Sequence, residues 1–232
     1  MAEFLNTFLF GIYPYIALTI LAVGSVIRYD RDPYTWKAGS SQLLRRKQLM
    51  WGSLLFHIGV LAIFAGHVVG LLTPGWVWKV LGISYATKQM TAMVAGGIAG
   101  IFGIIGATML IHRRFFDARV RAASNFADNA IILILWLQLA LGLSTIAVSA
   151  QHLDGLEMVK FQSWAQGIFT FNPEAAGYIA DVAPVFKAHI FLGLTIFVIF
   201  PFTRLVHMLS APIRYIWRSG YQIVRTKRDP AE

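Results

Sequence analysis

The 232-residue sequence predicts an all-α integral membrane protein, a helical bundle of five transmembrane helices, on three observations. Hydrophobic residues make up 57% of the chain and charged ones only 13%, with a mean hydropathy of +0.62, which leaves too little polar surface for a soluble domain of this length. The apolar residues gather in runs of about 20, the length at which a helix crosses a hydrocarbon core. Turn and charge signals fall between those runs, in DRDPYTWKAGSSQ, LTPGW, HRRFFDARVRAASN and QHLDGLEM.

The first span, about 4–27, follows the acidic Glu3, has no basic n-region and leads to no small-residue cleavage site, so it is expected to be retained. The second, 49–72, carries two histidines, His57 and His67. The third, 90–111, contains GGIAGIFGIIG, whose Gly96, Gly97, Gly100, Gly103 and Gly106 have the small-xxx-small spacing that lets helix backbones approach. Gly59 and Gly66, beside the second-span histidines, could instead make room for a flat macrocycle. The fourth span is 128–149. The fifth, 184–208, holds His189, Pro201 and His207. Residues 209–232 read as a basic cytoplasmic tail, and the chain 1–232 as one membrane domain.

Several chemistries are excluded. The chain has no cysteine, hence no disulfide, no Cys-ligated zinc or iron–sulfur cluster, and no c-type haem. It has no Walker A motif, no GxGxxG after a strand and no internal repeat. The net charge of +9 suggests nucleic acid, but its distribution argues against that partner. Arg28, Arg31, Lys37, Arg45, Arg46 and Lys47 follow the first span, and Arg113, Arg114, Arg119 and Arg121 follow the third. Arg204, Arg214, Arg218, Arg225, Lys227 and Arg228 lie at the C-terminal end, so sixteen of the twenty basic residues share one side of a five-span topology. Only Lys79, Lys88, Lys160 and Lys187 fall opposite. The positive-inside rule then places the N-terminus outside and the C-terminus in the cytoplasm. The basic loops set that topology, meet anionic lipid headgroups, and offer a docking surface to a cytoplasmic partner.

The second and fifth spans run antiparallel, so their histidines form two levels: His67 with His189 outside, His57 with His207 inside. At 1.5 Å per residue His57 and His67 are separated by about 15 Å along their helix, and His189 and His207 by about 27 Å. The unequal spacings require a relative tilt or a bend at Pro201, which removes a helix hydrogen bond six residues before His207. Each pair could clamp a haem iron from two sides, since imidazole is a good iron ligand and its other nitrogen can bond a backbone carbonyl. The competing role for any one of them is a packed residue bonded across helices. His112, at the HRR edge, and His152, in an outer loop, read as solvated interfacial residues.

Taken together, FGIYPYIA, RYDRDPYTWKAGSSQ, LFHIGVLAIFAGHVVGLLTP, RRFFDARVRA, SAQHLDGLEM and FPFTRLVH resemble the cytochrome b (gamma) subunit of membrane-bound respiratory nitrate reductase over nearly the whole chain. The resemblance implies a prokaryotic cell-membrane protein with two non-covalent, bis-histidine b haems that oxidises quinol, either menaquinol or ubiquinol. Electrons would pass inward to a cytoplasmic iron–sulfur subunit and then to a molybdenum subunit that reduces nitrate. The family's four axial ligands fall on His57 and His207 for the inner haem and on His67 and His189 for the outer one. Its quinol-site lysine falls on Lys88, in KQM, with Gly66 permitting close approach beside His67. Its propionate-binding arginine falls on Arg113 or Arg114. Two other readings stand beside this one. The first is the cytochrome b subunit of a hydrogenase or formate dehydrogenase. The second is a proton-conducting transporter, which needs carboxylates inside the spans, where the sequence offers only Asp128 at an end.

Overall fold

The computed structural model describes residues 1–36 and 44–210; Lys37 and the tail residues 211–232, with Arg214, Arg218, Arg225, Lys227 and Arg228, lie outside them. Every regular element among the described residues is helical. Five helices are long and apolar enough to cross a membrane: Glu3–Arg31, Arg46–Leu72, Tyr85–Phe116, Phe126–Ser149 and Pro184–Phe202. The five expected spans are therefore present, the third beginning earlier and ending later than 90–111. Ser84 explains its start, accepting a hydrogen bond from the Thr87 N–H (3.1 Å) as the helix cap.

Span one contains a π-helical turn, Phe8–Ile12, ahead of Pro14. Proline has no N–H to offer the carbonyl four residues back, which is that of Phe10. The indole of Trp164 answers it instead, donating to the Phe10 carbonyl at 2.8 Å. Trp164 lies on Leu156–Phe169, a helix between the fourth and fifth spans that the sequence reading had left as a connection. At 14 residues this helix is too short to span. It packs with Ala175–Ile179 over the N-terminal end of the bundle, and Phe10, Trp164, Ile168, Ile179 and Phe186 form a core there.

The spans are arranged as neighbours in the order two, three, four, five, one. Spans two and three are drawn together by small residues. A Cβ on Gly59 would stand 2.4 Å from the Gly103 nitrogen, and one on Gly106 would stand 2.3 Å from the Phe56 nitrogen. The sequence offered Gly59 two roles, and the structure assigns it to helix packing. Gly66 has nothing within 4 Å of where its Cβ would be. On the far side of the third span, Gly100 and Gly103 receive Leu143 and Leu139 of the fourth.

The fifth span corrects the expectation of one helix over 184–208. Its α-helix ends at Ile199, a 3-10 turn covers Phe200–Phe202, and Thr203 is extended (φ −121, ψ 178). A second 3-10 segment, Arg204–Ser210, carries His207. Pro201 is the cause, and the rise of a straight helix does not apply between His189 and His207.

The glycine contacts separate tight from open positions. Gly106→Val should cost about 1–3 kcal/mol through overpacking against the Phe56 backbone, whereas Gly96→Ala, with nothing within 4 Å, should be neutral or slightly stabilising. Thermal unfolding of the purified protein in detergent checks this pair, with a fall of several degrees expected for the first variant alone.

Candidate functional site

The two histidine levels are both present. The imidazoles of His57 and His207 have centroids 6.1 Å apart with ring planes at 72°, and those of His67 and His189 are also 6.1 Å apart, at 39°. Spans two and five close the bundle with little backbone contact, so these side chains reach across the space between them. His57 and His67 are exposed on the second span, and His189 and His207 are half-buried.

Three of the rings are held alike. The Nδ1 of His57 bonds the Ser53 carbonyl (2.7 Å), that of His67 the Ile63 carbonyl (2.8 Å), and that of His207 the Arg204 carbonyl (2.5 Å). Such bonds fix the tautomer with the proton on Nδ1 and leave Nε2 with a lone pair. His189 is held from the fourth span. Gln138 Nε2 donates to its backbone carbonyl at 3.1 Å and lies 3.5 Å from its Nε2, and a Cβ on Gly142 would stand 3.0 Å from its Cε1. Its Nδ1 is buried with no hydrogen-bond partner among the described residues. Each level therefore keeps basic nitrogen that no protein donor uses.

The spacing suits a metal held between the rings. Two metal–nitrogen bonds of about 2 Å, with each ring nitrogen about 1 Å from its centroid, put the centroids roughly 6 Å apart. Among the described residues no group of three or more His, Cys, Asp or Glu could hold a metal ion. Each level thus brings two imidazoles together, with no larger His, Cys, Asp or Glu group among the described residues, so a metal held there would have to bring further ligands of its own. A macrocycle carrying its own four nitrogens fits that donor set.

At the end that carries the basic loops, Asp128 joins two arginines. Its Oδ1 lies 2.9 Å from Arg204 Nε and its Oδ2 lies 3.5 Å from Arg114 Nη1. Arg113 is buried and donates from Nη2 to the Leu44 carbonyl at 2.7 Å. Both arginine candidates therefore lie at the His57–His207 end, Arg114 on a carboxylate and Arg113 on backbone. At the opposite end Lys88 is buried, donates to Gln162 Oε1, and stands 5.1 Å from the Trp78 ring centroid. It does not snorkel to the interface. Gln162 Nε2 in turn donates to the Thr73 carbonyl (3.2 Å), just past the end of the His67 helix. His112 and His152 are exposed, as expected.

Gln138, Gly142 and Gln162, and the ion-pair role of Asp128, emerge only in the folded chain. A lone glutamine in ILILWLQLALG was the available signal for the first, because a polar side chain in an apolar span needs a partner.

An apolar multi-span bundle with two cross-span imidazole pairs and a half-buried arginine–carboxylate cluster defines an integral membrane protein with polar centres at two depths. The chain belongs to the nitrate reductase gamma subunit family, whose family model matches residues 6–227. It is 48% identical over 225 residues to the respiratory nitrate reductase 1 gamma chain of Escherichia coli (strain K12), covering 97% of this chain and 99% of that one. With the respiratory nitrate reductase 2 gamma chain of the same organism it shares 50% identity over 228 residues, 98% and 100% of the two chains. The nitrate reductase gamma chain of Bacillus subtilis (strain 168) is 41% identical over 223 residues, 94% of this chain and 97% of the relative. The protein is thus a multi-pass membrane subunit of a prokaryotic nitrate reductase complex.

Asp128→Asn should leave Arg114 and Arg204 side by side without their shared carboxylate, at a cost of about 3 kcal/mol, whereas Asp128→Glu should retain most of the stability. Denaturation midpoints of the two variants in detergent check this.

Proposed function

We propose that the chain is the quinol-oxidising, dihaem cytochrome b subunit of its nitrate reductase. It would pass electrons from quinol at the outer face to an iron–sulfur subunit, and thence to a molybdenum nitrate-reducing subunit, on the cytoplasmic face. The observation that carries this reading is the pair of cross-span histidine contacts, each 6.1 Å between centroids, in a chain of the gamma subunit family. His57 and His207 would hold the inner haem b, and His67 and His189 the outer one. Arg113 and Arg114 lie at the inner end, where a guanidinium's planar fork matches a propionate carboxylate. When bound, the two haems supply one-electron centres in series.

The residues of the chain do the rest. The backbone bonds of His57, His67 and His207 orient Nε2 and keep the imidazoles from turning away. Lys88 donates to a quinol oxygen and favours negative charge there as the quinol proton leaves for water. Gln162 holds that ammonium on its apolar ledge, against Trp78. Gly66, with open space where a side chain would be, lets a flat ring lie beside His67. Oxidation releases two protons and two electrons per quinol. With the protons leaving outside and the electrons consumed inside, turnover builds a membrane potential.

Spectra of variant complexes in membranes test the assignment. His57→Ala and His207→Ala should remove one b-type component, and His67→Ala and His189→Ala the other. If His57→Ala and His189→Ala remove the same component, the pairing is wrong. Lys88→Ala, with both components retained, should lower quinol-dependent haem reduction at least tenfold. Nitrate reduction from an artificial donor to the cytoplasmic subunits should persist. Unchanged quinol turnover in that variant removes Lys88 from the site.

A further inference from the structure

We propose that Arg28 is a positioning residue for His207, holding the break in the fifth span at the angle that presents this imidazole to His57; the proposal rests on reading His207 as the inner haem ligand. The break creates a problem of unsatisfied backbone. Within a bilayer, non-helical backbone persists only where protein supplies its hydrogen bonds. Arg28 supplies two of them: Nη1 donates to the Pro201 carbonyl at 2.6 Å and to the Thr203 carbonyl at 2.8 Å. Nη2 donates to the Thr35 carbonyl at 2.9 Å, which anchors the guanidinium to the turn after its own span. Three acceptors from two segments converge on one planar fork.

The same face of span one is shaped to receive the break. Gly24, one helical turn before Arg28, is where Pro201 packs, and a Cβ there would stand 2.9 Å from Pro201 Cγ. Pro201 is fully buried in that contact. Both carbonyls bonded by Arg28 Nη1 lie just past the C-terminal end of the fifth α-helix, where a cation is favourable to the helix dipole. Beyond Thr203 the chain enters the segment bearing His207, whose Nδ1 bonds the Arg204 carbonyl. Asp128 holds a side chain of this segment, whereas Arg28 holds the backbone that leads into it. Charge bias alone would be served by any cation at position 28. A lysine, with a single compact ammonium, would keep that bias and lose the geometry.

The test uses the assembled complex in membranes with Arg28→Gln, Arg28→Lys and Gly24→Ala. Each component is identified by its loss in His207→Ala or in His67→Ala. Low-spin EPR and redox titration are then read for both haems. Arg28→Gln should shift the EPR signal and midpoint potential of the His207-dependent haem, or reduce it at least threefold relative to the other. Arg28→Lys should fall between this and the parent protein. Gly24→Ala, which displaces Pro201 without touching the guanidinium, should perturb the same component. An unaltered His207-dependent signal in Arg28→Gln overturns the proposal. So does a parallel loss of both haems with chain abundance, which is what a merely structural role would produce. If His207→Ala leaves both signals intact, the ligand reading itself falls, and the proposal falls with it.

Discussion

Within a hydrocarbon layer no water is available to hydrogen-bond, and where the described backbone leaves regular geometry, side chains of distant segments answer it. The pattern recurs at each irregularity. Pro14 frees a carbonyl and Trp164 takes it. Pro201 breaks a helix and Arg28 reaches over from span one. Three of the four paired histidines turn Nδ1 back onto a carbonyl three or four residues earlier. Residues that look isolated in the sequence are the donors and acceptors of backbone that has left regular geometry. The bundle's shape is the one that lets these partners meet.

Two packing distances coexist in one ring of helices. Where glycine and alanine face one another, spans two and three meet backbone to backbone. Where histidines face one another, spans two and five stay apart by the length of two imidazoles. The close contact fixes span two against a rigid neighbour, so that the other side of the same helix can leave room. Gly59 and Gly66 lie seven residues apart, about two turns along nearly the same face, and the first is filled by a neighbour's backbone while the second is open.

The five spans were legible because lipid turns the length of an apolar run into a direct measure of a crossing. The histidine pairing was legible because antiparallel spans place residues at matching depths. The 27 Å separation inferred for a straight fifth helix was not the real path, although Pro201 marked where it would fail. The helix Leu156–Phe169 was illegible for a physical reason. Its buried residues, Gln162, Trp164, Ala165 and Ile168, include a glutamine whose partner is a lysine 74 residues away. Such long-range pairing leaves no trace in local periodicity. The same holds for Asp128, whose two arginines come from spans three and five, and for Gln138, which reads in the sequence as a lone polar residue.

The clamp between Arg28 and the Pro201 carbonyl joins residues 173 apart, and this separation has a meaning in time. At about 5–20 residues per second of synthesis, span one is made roughly 10–30 s before the segment it must hold. Lys88 waits several seconds for Gln162 by the same reckoning. During that interval the nascent subunit has a half-built interior, with His57 and His67 inserted and neither partner yet made. The second and third spans can already dock through their glycines, giving a stable early hairpin. Both polar levels are completed only when the fifth span and the segment bearing His207 arrive. A chain halted before residue 184 lacks both His189 and His207, so neither histidine level can form in it.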